Sequence, residues 1–163
     1  MTIKYIEYTP LNIANYLISK YGEKDELNPI KLNKLVYLIY CWWLSFNPKP
    51  LLAEKPQLWR YGPIFESLYL ALKPYKLNLI KKPISGPFIR PFIIEDTEKQ
   101  EFIEWVYNRY KYMSSNELST ICHKPNTPWA TEAKKNNYSV KLGHTIPDYL
   151  IYEYYSKELK NLY

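Results

Sequence analysis

A chain of 163 residues, 47% of them hydrophobic, is long enough to bury one core, and a single domain spanning 1–163 is what that length calls for. Its net charge of +6 is diffuse, with no basic run beyond the pairs Lys81-Lys82 and Lys134-Lys135 and only three Arg among 22 basic residues, which argues against specific nucleic-acid binding. Only four glycines are present, and no Walker-type, GxGxxG, HExxH or GxSxG pattern occurs, so neither a phosphate-cradling loop nor a catalytic signature is in view and a nucleotide-binding enzyme is not expected.

Prolines placed just after a capping residue set the helix starts. Thr9-Pro10 predicts a helix to about Tyr21, with Leu11, Ala14, Leu17, Ile18 and Tyr21 on one face and Gly22 ending it. Asn28-Pro29 predicts the longest helix, to about Phe46, where Leu32, Leu35, Val36, Ile39, Trp42 or Trp43, and Phe46 recur at helical spacing. Its apolar run, residues 35–44, is too short to cross a bilayer and reads as a buried helix. Residues 58–61 read as a short extended piece, with Pro63 starting a third helix to about Leu72 that Lys73-Pro74 closes. Between 77 and 95, prolines and glycines separate the apolar pieces 77–80 and 88–94, a pattern of short edge strands or extended loop in which a hairpin is weakly signalled.

Thr97-Glu98-Lys99-Gln100 has the form of a capping box ahead of Phe102, Ile103, Val106, Tyr107 and Tyr110. Ser114-Ser115-Asn116-Glu117 is a second, opening a helix to Cys122 or His123. Thr127-Pro128 starts a short helix containing Trp129 and Ala133, and Thr145-Ile146-Pro147-Asp148 caps a last one carrying Leu150, Ile151, Tyr154, Tyr155 and Leu159. The expected fold is mainly α, a compact domain of about seven helices with a short β element or extended segment before the third and fourth.

The N-terminal stretch has no uninterrupted apolar region followed by small residues, and the two cysteines stand far apart without a CxxC, so a cytoplasmic protein without membrane insertion is expected. Cys41, Cys122, His123 and His144 are numerically enough for a zinc site, but their spacing does not support one; adjacent Cys122 and His123 diverge by about 100° on a helix and make a poor nucleophile pair. No metal and no cofactor is therefore expected. Eighteen tyrosines are more than a core of this size needs. They serve either as half-buried substitutes for Phe or as interface anchors, a use that suits their large, stiff contact area.

The stretch Trp59-Arg60-Tyr61-Gly62-Pro63-Ile64-Phe65-Glu66 reads as a strand-to-helix corner in which Trp59 and Tyr61 point to one side and Arg60 to the other, with Glu66 in the first helical turn and within possible reach of Arg60. Together with Pro29-Ile30-Lys31-Leu32-Asn33-Lys34-Leu35-Val36-Tyr37, Pro50-Leu51-Leu52, Tyr69, Leu118-Ser119 with His123, Pro128-Trp129, and Ile146 with Tyr154 and Tyr155, it resembles the Panacea antitoxin domain, also called the SocA-like or GepA-like phage-associated domain. The resemblance covers most of the chain. Where that family usually has Thr before the His, this chain has Cys122, a weaker hydrogen-bonding group.

The resemblance implies a prokaryotic helical protein that binds and neutralises a toxin encoded next to it, by occlusion and without catalysis. A second implied reading is an adaptor that delivers a bound client or toxin to a protease, with a protease or chaperone as further partner. A third, from the net charge, is a nucleic-acid-binding regulator. Partner-binding candidates are Lys31, Lys34, Arg60, Tyr61, Glu66, Tyr69, His123 and Trp129. Lys31 and Lys34 share one face of the second helix at i, i+3, either as a solvated face or as a contact. For Trp59, Gly62 and Pro63 the packing role is the expected one.

Overall fold

A computed structural model describes residues 8–87, 89 and 93–163. Among them the chain forms seven α-helices and one small antiparallel sheet: α1 (Pro10–Tyr21), α2 (Pro29–Phe46), β1 (Gln57–Trp59), β2 (Gly62–Ile64), α3 (Glu66–Leu72) followed by a 3-10 turn (Lys73–Tyr75), α4 (Thr97–Tyr110), α5 (Ser115–His123), α6 (Pro128–Lys135) and α7 (Asp148–Lys160). The mainly α architecture agrees with the sequence reading.

The hub is α2. Every residue from 31 to 42 is buried, because α1, α4, α5, α7 and the sheet pack around it on all sides. A helix buried on every face over most of its length is the pattern of a core helix, and none of the described helices is long and apolar enough to cross a membrane. Pro29 occupies the first turn, where its missing N–H leaves no bond unmade, and Asn28 Oδ1 accepts from the Lys31 N–H at 2.9 Å. Thr9, Ser114 and Thr127 cap α1, α5 and α6 in the same way, as their sequences predict.

Three starts differ from expectation. Pro63 does not open a helix: it lies in β2, paired with Leu58, and α3 begins at Glu66. The cause is tertiary. Lys34 Nζ donates to the Pro63 carbonyl at 2.8 Å and Asn33 Oδ1 accepts from the Phe65 N–H at 3.1 Å, so two buried side chains of α2 hold 63–65 extended. The 58–61 corner is thus a hairpin whose two-residue turn is Arg60-Tyr61. The cap of α4 is Asp96 rather than Thr97; its carboxylate accepts from the Lys99 N–H and pairs with Lys99 Nζ at 2.8 Å. Thr145 does not cap α7, because residues 144–146 run along the free side of β1 (Leu58 N–H to His144 carbonyl 2.7 Å, Ile146 N–H to Pro56 carbonyl 2.8 Å).

Beyond the 3-10 turn the chain is pinned at two points before residue 85. Ile80 donates to the Leu27 carbonyl at 2.7 Å, and the Asn15 amide brackets both backbone groups of Ile84. Where a hairpin was weakly signalled, the described residues hold one isolated bridge, Gly86 to Ile89; Phe88 and residues 90–92 lie outside the described set.

Cys41 and Cys122 are buried and unpaired. Burial pushes the Cys41 thiol well above its ordinary range and the Cys122 thiol up to about 12, the Lys34 ammonium pulling the latter back only in part. Since the thiolate is the reactive form, the native protein at pH 8 is expected to titrate with no fast thiol towards an aromatic disulfide reagent, and with two equivalents in denaturant. Rapid native labelling of either thiol would contradict this packing.

Candidate partner-binding groove

The N-terminal half of α2, the hairpin, α3 with its 3-10 turn, and one face of α5 enclose a groove of about 810 Å³. Its walls are apolar: Ile30 from α2, Ile64 from β2, Leu72 and Leu77 around the 3-10 turn, and the rings of Trp59, Tyr61 and Tyr69. Trp59 and Tyr69 meet with ring centroids 4.8 Å apart. Helix α5 supplies a polar strip, Asn116, Ser119, Thr120 and His123, on the opposite side.

The hairpin sets the groove's shape. Gly62 takes φ +117°, a conformation that side-chain-bearing residues rarely adopt, and a Cβ there would stand 2.9 Å from Lys34 Nζ. The backbone can therefore sit directly over the lysine. Gln57 joins the sheet to its surroundings by accepting from the Trp59 indole at 2.9 Å and donating to Glu66 at 3.0 Å. Glu66 thus pairs with Gln57 and not with Arg60. The Arg60 guanidinium instead lies 5.5 Å from the Tyr61 ring centre.

Lys31 and Lys34 are 6% and 2% exposed, so neither belongs to a solvated face. Lys31 donates to the Lys111 carbonyl at 2.7 Å, behind the groove, and ties α2 to the end of α4. Lys34 reaches the groove wall. Burial lowers the pKa of both, that of Lys34 to about 8. On α5, His123 Nδ1 is bonded to the Ser119 carbonyl; because a carbonyl only accepts, that nitrogen carries the proton. The His123 ring meets Trp129 edge-on at 5.6 Å, and the Trp129 indole N–H donates to the Trp59 carbonyl at 2.8 Å.

The structure therefore brings Lys34, Tyr61, Tyr69 and His123 to one groove, seats Trp129 behind His123 and the hairpin, and leaves Arg60 exposed on the turn. Glu66 braces the hairpin from below, and Lys31 faces away. As site residues, sequence reasoning passed over Ile30, Leu72, Lys73, Lys76, Leu77 and, on α5, Asn116, Ser119 and Thr120; the one signal for the lysines was the charge flanking Pro74-Tyr75. Tyr37, Tyr40 and Tyr107 are fully buried core residues, whereas Tyr61 is 76% exposed at the groove's mouth.

No Asp or Glu lines the groove, and no cluster of three His, Cys, Asp or Glu suited to a metal occurs among the described residues. His144 is engaged by Glu132 at 2.8 Å, far along the chain from Cys41. What the groove offers is contact area, hydrogen-bond donors and positive charge.

A family model described as antitoxin SocA-like, Panacea domain, matches residues 32–130. The chain is similar to "Antitoxin SocA" of Caulobacter vibrioides (strain NA1000 / CB15N), with 29% identity over 146 residues that make up 85% of this chain and 78% of that protein. No solved structure matches.

Proposed function

The chain belongs to the SocA-like antitoxins with a Panacea domain, and from that membership we propose that it neutralises a toxin protein by binding it directly, with the groove as the seat. The observation that carries this reading is where the family resemblance falls: every groove-lining residue except Pro29 and Ile30 lies within 32–130. The stretch matched by the family model thus supplies nearly all of the groove. Mechanism is occlusion: the toxin's working surface is covered and no bond is made or broken. The two unpaired, buried thiols fit action in the cytoplasm.

The test is co-expression with each adjacent open reading frame, scoring growth and then co-elution. Growth restored by this chain, with a stoichiometric complex on gel filtration, is the expected result. If no neighbour is toxic, or if a toxic neighbour is rescued without any complex forming, direct neutralisation fails.

Tyr61 gives a residue-level check. Its ring is 76% exposed, so Tyr61→Ala is expected to change stability by less than about 0.5 kcal/mol. An exposed aromatic that becomes an interface anchor is worth about 2 kcal/mol, so toxin affinity should fall roughly thirtyfold by calorimetry. Unchanged affinity would move the interface off the hairpin turn.

A further inference from the structure

We propose that the groove is built to receive an apolar peptide segment bearing a carboxylate, an Asp or Glu side chain of the partner protein set between large apolar residues, which pairs with the Lys34 ammonium. The inference deepens the antitoxin reading and rests on it for the kind of partner.

Lys34 carries the argument. Its ammonium has three protons to give, and one of them goes to the Pro63 carbonyl. Among the described residues no carboxylate pairs with it, and the neighbouring Cys122 thiol, pushed up to about 12 by burial, stays protonated and supplies no counter-charge. A buried charge without a counter-ion is unfavourable, and the usual remedy is an anion brought close. The molecule's own acids near the hairpin are occupied: Glu66 accepts from Gln57, and Glu54 from the Ser67 N–H.

The surroundings repeat the same sign. Lys73 and Lys76 stand exposed on the rim, and the first turn of α2, the positive end of a helix dipole, contributes Pro29 and Ile30 to the lining. No acidic side chain offsets them within the groove. The apolar surface also runs past the groove's mouth, where Tyr61 and Leu77 are 76% and 72% exposed. A small acid would leave both uncovered; a peptide continuing across the rim covers them.

The probe is a phage-displayed random heptapeptide library selected on the full-length protein, followed by synthetic versions of the enriched peptides. Selection is expected to enrich Asp or Glu flanked by Leu, Ile, Phe or Tyr. Exchanging that acid for its amide should weaken binding at least tenfold by fluorescence anisotropy. The rim double substitution Lys73→Glu/Lys76→Glu changes only exposed positions and should weaken binding as strongly, and Lys34→Met should do the same; if Lys34→Met fails to fold, the rim variant decides. Enrichment of neutral or basic peptides, affinity that survives the amide exchange or the rim reversal, or no enrichment at all would overturn the proposal. Growth rescue by a chain that selects no acidic peptide leaves the antitoxin reading standing and removes this one. Acidic selection without any toxic neighbour does the reverse.

Discussion

Replacing Trp129 by alanine is expected to lower the unfolding free energy by about 3–5 kcal/mol, the range for deleting a buried large aromatic. The residue is 9% exposed, and its indole N–H is the link between α6 and the hairpin through the Trp59 carbonyl at 2.8 Å. Its ring also backs His123. Three elements thus lose a common support, and the groove should open along with the loss of stability. Trp129→Phe keeps most of the packing and removes only the hydrogen bond, so its cost should be about 1 kcal/mol. Urea denaturation of both variants checks the pair. If Trp129→Ala costs under 1 kcal/mol, the indole is not the support described.

Gly62 supplies the second large effect. Gly62→Ala is expected to destabilise by about 3 kcal/mol from two sources: left-handed backbone strain of roughly 1–2 kcal/mol, and displacement of Lys34 from the Pro63 carbonyl, since a charged hydrogen bond is worth about 1.5–3 kcal/mol. The new Cβ would stand 2.9 Å from Lys34 Nζ at φ +117°. Gly143 offers an internal control, with φ +78° and open space around it. Gly143→Ala should show the strain alone, about 1 kcal/mol. Equal losses at the two glycines would mean that the contact with Lys34 is without consequence.

The helices with local start signals were legible in the sequence. Thr9, Asn28, Ser114 and Thr127 each cap with their own side chain a few residues on, so neighbours in sequence carry the whole interaction. Pro63 and Thr145 misled because their fate is set elsewhere in the fold, whereas Thr97 lost to its own neighbour. Asn33 and Lys34 hold residues 63–65 extended, and β1 takes the 144–146 segment as a bridging partner. Asp96 overtakes Thr97 because its carboxylate reaches both the backbone and the side chain of Lys99.

The groove divides the same way. Lys34, Tyr61, Tyr69 and His123 were picked out by their place in family-like motifs. Lys73, Lys76 and Leu77 become neighbours of α5 only when the chain folds back across the 3-10 turn, and no spacing rule joins residues 40 apart. The reading of Lys31 and Lys34 as a possible solvated face failed for a related reason. Helical periodicity says which residues share a face, but α2 is covered on every face.

That burial separates what this chain can alter from what it must keep. The groove's floor is α2, where Asn33 and Lys34 also hold the hairpin, so a change there disturbs the fold before it alters the groove's contacts. The rim carries Tyr61, Tyr69, Lys73 and Lys76, with Arg60 beside it on the hairpin turn, all exposed. Resurfacing those five side chains would accordingly change what the groove presents to its surroundings while the helix beneath them stays as it is.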